Sequence, residues 1–332
     1  MKLNGRALRA EAQEVLRLFP VPGITAAVFR GGQLSDSCAL GVRDDQGISM
    51  TEDTLFEAAS LTKSLFAALF LRLHDRKLLS LDEPVLSQLP DARWSADARF
   101  ARITPRMALC HNAGLPNWSS RPMALLFEPG TSFSYSGEGY YLLQHLAEQV
   151  TRKSLPELFQ EEFFIPWGME DAAGVWSPKV GSHMSLGFGT DGRVVKRRDA
   201  LDLSGNAPEP NAAWSLYANA RIYAQFLCRM IMENGGLSEA SFAKMTSRQN
   251  DAGGGILWGL GWGIPANKQS VLWHWGDNTG FKSFALWDKD SGDGLTVFTN
   301  SDAGVPFYME LCRRLTGETF YTEIASFIAS AE

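Results

Sequence analysis

The stretch Phe56-Glu57-Ala58-Ala59-Ser60-Leu61-Thr62-Lys63-Ser64-Leu65-Phe66-Ala67-Ala68-Leu69-Phe70 constrains the fold more than any other. Leu61, Leu65 and Leu69 recur every four residues, and Phe66, Phe70 and Leu73 widen the same apolar band, which is helical spacing. Almost no face stays polar before Arg72, so this helix is expected inside the protein, covered on all sides. With 332 residues the chain can wrap such a helix, as one large domain or two interleaved ones. Two groups interrupt the apolar surface where the helix begins, Ser60 and Lys63. Three residues apart, they sit side by side on one turn. Ser60 also lies where a helix start gathers free N–H groups and positive potential.

That pairing has chemical content. A serine hydroxyl is a poor nucleophile until a neighbouring base takes its proton. A lysine amine becomes such a base once burial lowers its pKa, and an N–H at the helix start can then hold an oxyanion. The same residues also read as a capping serine and a snorkelling lysine. S-x-x-K alone is weak: Ser241-Phe242-Ala243-Lys244 repeats it after Gly235-Gly236-Leu237-Ser238-Glu239, where a solvated lysine needs no explanation.

A net charge of −6 and the lack of a basic stripe argue against a nucleic-acid partner. Arg193, Lys196, Arg197 and Arg198 form the one basic cluster, and a solvated loop accounts for it. The apolar run Ser64 to Leu73 is too short to span a bilayer, so no membrane partner is expected. No apolar signal core lies in Met1 to Glu11. The chain as it stands is expected in the cytoplasm, or in the periplasm if a signal has been removed. Cys38, Cys110, Cys228 and Cys312 are scattered through apolar contexts and read as free thiols rather than disulfides. The histidines are dispersed without ligand spacing, so no metal and no cofactor is expected.

Residues 5–18 read as an amphipathic helix, and Gly23 to Arg30 as a strand turned by Gly31-Gly32 into a second strand through Cys38 and Gly41. Helices are expected at Ile103 to Cys110, with Thr104 as N-cap and Pro105 first, at Gly139 to Val150, and at Trp214 to Met232. Strands return at Trp258 to Ile264, Val271 to Trp275, Phe281 to Trp287 and Leu295 to Phe298, with a turn at Asp288 to Gly294. Two closing helices follow, near Pro306–Leu315 and Thr319–Ala329. The expected architecture is α/β (α+β): a sheet domain from residues 1–83 and 214–332, and a mainly helical insert over 84–213 with a lid loop at 181–212.

Two further stretches carry polar groups that could converge on Ser60. In Pro129 to Tyr140, Tyr135 lies in a Gly/Ser-rich loop. Near a lysine its pKa is expected to fall, letting it shuttle a proton; the alternative is a tyrosine that packs at a helix start. In Trp273-His274-Trp275-Gly276-Asp277, residues 271–275 alternate like an edge strand. There the Asp277 N–H could be a second oxyanion donor and His274 could point across a cleft, or His274 is a satisfied core histidine.

In this order the three stretches resemble the serine β-lactamase and penicillin-binding-protein superfamily, in its class C β-lactamase-like branch: Ser60-x-x-Lys63, then Tyr135-Ser136-Gly137, then His274-Trp275-Gly276. Leu109 to Pro116, Glu128 to Ser136, Pro210 to Leu216, Thr279-Gly280-Phe281 and Thr299-Asn300 are similar to its smaller signatures. The resemblance implies a β-lactamase/transpeptidase-like fold with a central antiparallel sheet. It implies Ser60 as acylated nucleophile, Lys63 and Tyr135 as proton carriers, His274 as a third catalytic position, and the N–H groups of Ser60 and Asp277 as oxyanion hole. Gly137, Trp275, Gly276 and Asp277 would bind substrate, a small ester, amide or β-lactam. Two departures matter: Gly137 stands where the family usually has Asn, and His274 where the β-lactamases carry Lys. The expected activity is that of an esterase, D-amino-acid peptidase, carboxypeptidase or weak β-lactamase. The alternative is a slowly acylating penicillin-binding or sensing protein. A Ser-His-Asp hydrolase is disfavoured because no G-x-S-x-G elbow occurs.

Overall fold

A computed structural model describes residues 1, 3–89, 94, 97–120, 122–197 and 209–331. Its centre is an eight-stranded sheet of strands β1 (Gly23–Arg30), β2 (Gln33–Gly41), β3 (Asn250–Gly253), β4 (Ile256–Trp258), β5 (Gly263–Pro265), β6 (Val271–Asn278), β7 (Phe281–Asp288) and β8 (Gly294–Thr299). The order is β2-β1-β8-β7-β6-β5-β4-β3, and every pairing is antiparallel. The two ends of the chain meet where β1 pairs with β8, Ala26 opposite Val297. Every residue of β7 and β8 is buried. Successive side chains of a strand point to opposite faces, so both faces of the sheet centre must be covered.

Helices provide that cover: α1 (Leu8–Leu18), α2 (Leu61–Asp75), α3 (Gly137–Thr151), α4 (Ala220–Glu233), α5 (Gly304–Thr316) and α6 (Tyr321–Ala331). Helix α2 packs on β6 and β7, α4 on β1 and β8, and α5 on β7 and β8. All of α2 from Leu61 to Leu71 is buried, as its all-round apolar surface requires. Replacing one such leucine by alanine costs about 2–5 kcal/mol in proteins generally, so the position of α2 is tightly specified. No helix among the described residues is long and apolar enough to cross a membrane. The four cysteines are free thiols.

Three boundaries differ from the sequence reading. Val271 to Trp275 is an interior strand by sheet order, not an edge strand, although it meets β5 only at Trp273 opposite Gly263. Trp258 to Ile264 is two strands, because Gly261 at φ 84° turns the chain between them. The helix expected from Trp214 begins at Ala220, where the Asn219 side chain caps the Ile222 N–H. The lid-loop expectation falls partly on 198–208, outside the described residues; Gly187–Phe188 and Val194–Lys196 within it pair as a small hairpin.

Candidate active site

Ser60 sits at the start of α2, after a backbone kink at Ala59, whose φ is 49°. A non-glycine residue in that region is held against an intrinsic preference of about 1–3 kcal/mol. The surroundings fix it. Ser283 Oγ donates to the Ala58 carbonyl at 2.9 Å, Thr62 Oγ1 to the Ala59 carbonyl at 2.6 Å, and Tyr223 Oη to the Leu61 carbonyl at 2.9 Å. The Ser60 side chain makes no capping hydrogen bond, so its hydroxyl is not used to start the helix. Among the described residues the Ser60 N–H has no backbone acceptor.

Lys63, one turn on, is 1 % exposed. Its Nζ donates to Ser60 Oγ at 3.0 Å and to the Ala213 carbonyl at 2.9 Å. Burial lowers its pKa to about 7. The Tyr135 ring lies 4.8 Å from Lys63 Nζ. The Tyr135 hydroxyl oxygen is buried and has no hydrogen-bond partner. The expected fall in its pKa is corrected: burial raises it, and the nearby Ser60 hydroxyl offsets this only in part. The phenol is therefore neutral, a donor rather than a phenolate base.

Tyr135 is positioned from behind by His111, a second buried residue at positive φ, 61°. Its ring lies 4.5 Å from that of Tyr135, and its Nδ1 accepts from the Ser136 N–H at 3.1 Å. The loop beyond it latches onto the start of α3. Ser136 Oγ donates to the Pro116 carbonyl at 2.7 Å, and the Gly137 N–H donates to Asn117 Oδ1 at 2.9 Å. Because that oxygen must be the acceptor, the Asn117 amide presents its NH₂ elsewhere.

Gly137 does not line the cavity, contrary to expectation. A Cβ there would lie 2.4 Å from Cζ2 of Trp118, so the indole holds the space a side chain would need. Trp118 is 51 % exposed, so its ring has solvent to turn into. Gly137→Ala is thus expected to turn the ring out to solvent and red-shift its emission, with little change in Tm. Comparison with Trp118→Phe assigns the signal; an unmoved spectrum would contradict this packing.

On the sheet side, Gly276 is a packing glycine rather than a cavity residue. A Cβ there would meet the Ala58 carbonyl oxygen at 2.3 Å and Ser283 Oγ at 2.2 Å, so only glycine lets β6 approach the Ser60 turn this closely. His274 does not reach across the cleft. It is fully buried, its Nδ1 donates to the Trp275 carbonyl at 2.7 Å, and its Nε2 has no partner. Burial, with the Lys63 charge, lowers its pKa to about 3, and its ring centre is 6.2 Å from that of Tyr135. Trp275 and Asp277 do line the cavity.

That cavity, about 440 Å³, is lined by Ser60, Lys63 and Tyr135 together with Asn117, Trp118 and Trp214. Glu57, Lys196, Asn278 and Thr279 also face it, as does Ala331 at the end of α6. No sequence signal marks Glu57, Asn117, Trp118 or Asn278 as cavity residues. Lys196, which the sequence places in a solvated loop, pairs with Glu57 at 3.1 Å. Nothing in local spacing signals such pairings between distant segments.

Comparison with known proteins bears on the family and the fold. The chain is 26% identical to penicillin-binding protein 4 of Amycolatopsis lactamdurans, over 90% of this chain and 86% of that one. It is 39% identical to esterase EstB of Burkholderia gladioli, over 65% of this chain and 62% of that one. The octameric penicillin-binding protein homologue from Pyrococcus abyssi superposes with a TM-score of 0.79 at 21% identity, covering 95% of this chain and 78% of that one. The Beta-lactamase family model matches residues 14–314. A buried helix opening on Ser60 and Lys63, a sheet closed by both chain ends and a family match of that extent place this protein in the beta-lactamase family of serine hydrolases.

Proposed function

We propose that the protein hydrolyses small esters or amides through an acyl-enzyme on Ser60. The observation that carries this reading is Lys63 Nζ, sealed from solvent and 3.0 Å from Ser60 Oγ. With a pKa lowered to about 7, a large fraction of that amine is neutral near pH 7 and able to accept a proton. Ser60 Oγ attacks the substrate carbonyl carbon while its proton passes to Lys63 Nζ. The oxyanion that forms is held by the N–H groups of Ser60 and Asp277. Two features support that assignment. The Ser60 N–H donates to no backbone acceptor among the described residues, and Asp277 lies beyond Trp273, where β6 has left its β5 partner.

Collapse of the tetrahedral intermediate breaks the bond to the leaving group, which takes up a proton from the Lys63 ammonium or the Tyr135 phenol. The buried, unpartnered Tyr135 hydroxyl is the kind of group whose cost a catalytic role explains. Water then attacks the acyl-enzyme by the reverse sequence, releasing the acid and restoring Ser60. His274 serves behind the wall, stacked on Trp275 with ring centres 5.2 Å apart, and positions it.

Fluorophosphonate labelling followed by intact mass tests this reading. One adduct is expected, lost in Ser60→Ala, together with turnover of a p-nitrophenyl ester. Labelling without turnover would instead support a slowly acylating binding protein, and labelling that survives in Ser60→Ala would reject the nucleophile.

A further inference from the structure

The cavity wall carries several charges, and among the described residues every cation at it except Lys63 is already matched. Lys196 Nζ lies 3.1 Å from Glu57 Oε1. The other oxygen of Glu57 accepts from Asn278 Nδ2 at 2.6 Å. The Glu57 side chain is only 3 % exposed, so it is a fixed carboxylate with two donors, not a loose surface acid. Lys282 lies between Asp277 at 2.7 Å and Asp302 at 2.8 Å. Burial acts to lower the Lys282 pKa, but these two carboxylates prevail and raise it. Besides Lys63, the group comprises three carboxylates and two ammonium ions, and no arginine is among the described residues lining the cavity.

An incoming carboxylate meets an unfavourable site. Apart from Lys63, among the described residues it finds no cation without a carboxylate partner, and at Lys196 or Lys282 it must compete with carboxylates that are already held. It also brings a second negative charge close to Glu57 and Asp277 where little water screens them. An uncharged ester or amide meets none of these penalties. Trp118, Trp214 and Trp275 offer it apolar surface instead.

Building on the Ser60 acyl-enzyme reading, we propose that this cavity selects uncharged esters and amides and rejects substrates with a free carboxylate, and that the Glu57–Lys196 pair enforces the choice. β-Lactam acids and peptides ending in a free carboxylate fall in the rejected class.

Two matched pairs test it: p-nitrophenyl valerate against mono-p-nitrophenyl glutarate, and nitrocefin against its methyl ester. In each pair the uncharged member is expected to have a kcat/KM at least tenfold higher. Glu57→Gln removes one negative charge and releases Lys196, so it should narrow the ratio about tenfold. Added salt should narrow it in the wild-type protein. Binding of the same pairs to Ser60→Ala, which cannot form the adduct, should keep the same order of Kd. The charge rule is thus read separately from the identity of the nucleophile. Equal or reversed preference in both the kinetic and the binding comparison would overturn the proposal, as would a Glu57→Gln protein that keeps the full ratio in a cooperatively folded state.

Discussion

Lys63→Met is expected to lower kcat/KM for an activated ester by about 10²–10⁴-fold while leaving Tm unchanged or raised. Methionine fills nearly the same unbranched volume. What it removes is an amine that burial has driven to a pKa of about 7, whose protonated form is unfavourable in that site. Replacing buried charge by apolar volume is often neutral or stabilising, although here the Ala213 carbonyl loses its 2.9 Å donor. Stopped-flow acylation and a thermal melt on the same sample check both halves. Retained acylation at neutral pH would remove Lys63 from the role of base. A fall in both Tm and rate would mean that the amine mainly braces the 213 segment.

Tyr135→Phe is expected to cost about 10²-fold in kcat and to stabilise the protein by about 1 kcal/mol. The sign of the second effect follows from the hydroxyl oxygen, which is buried without a partner, and an unmet buried polar group costs about 1–3 kcal/mol. The ring contacts with His111 and Trp275, at 4.5 and 4.8 Å between centres, remain. Lower activity with higher stability is the signature of a group kept for chemistry. An unchanged rate with lower stability would make the phenol a packing group. Steady-state kinetics and urea melts separate the two.

Much of the fold was legible because local chemistry agreed with it. The apolar run through Leu61, Leu65 and Leu69 has one burial solution, and α2 adopts it. Thr104 and Pro105 start their short helix as read, with the Thr104 side chain accepting from the Met107 N–H. The Asp288 to Gly294 segment turns β7 into β8. Errors arose where tertiary demands overrode spacing. Trp214 and Leu216 look like the first turn of a helix, but this segment supplies the Ala213 carbonyl to Lys63 and the Leu216 carbonyl to Ala58. The helix is delayed to Ala220 as a result.

The candidate site divides along the same line. Ser60 and Lys63 are neighbours on one turn, so their meeting could be read from the chain. Tyr135 joins them across 72 positions, and only the resemblance anticipated that. Gly137 and His274 sit differently from expectation for two reasons: the Trp118 ring, from a separate loop, fills the space beside Gly137, and a hydrogen bond to the neighbouring Trp275 carbonyl holds the His274 ring inward. The strain at Ala59 and His111 had no sequence signal at all, since neither is glycine.

The claim on which the rest depends is that a buried, neutral Lys63 amine takes the Ser60 proton. Its most direct test is the pH dependence of single-turnover acylation, followed by release of p-nitrophenol from an activated ester. Below its pKa the amine holds a proton and cannot accept another; above it the free base is present. The rate should therefore rise with pH to a plateau with a midpoint near 7, and Lys63→Met should abolish that step. A midpoint near 10, the range of a solvated lysine, or a step that survives in Lys63→Met, would contradict it.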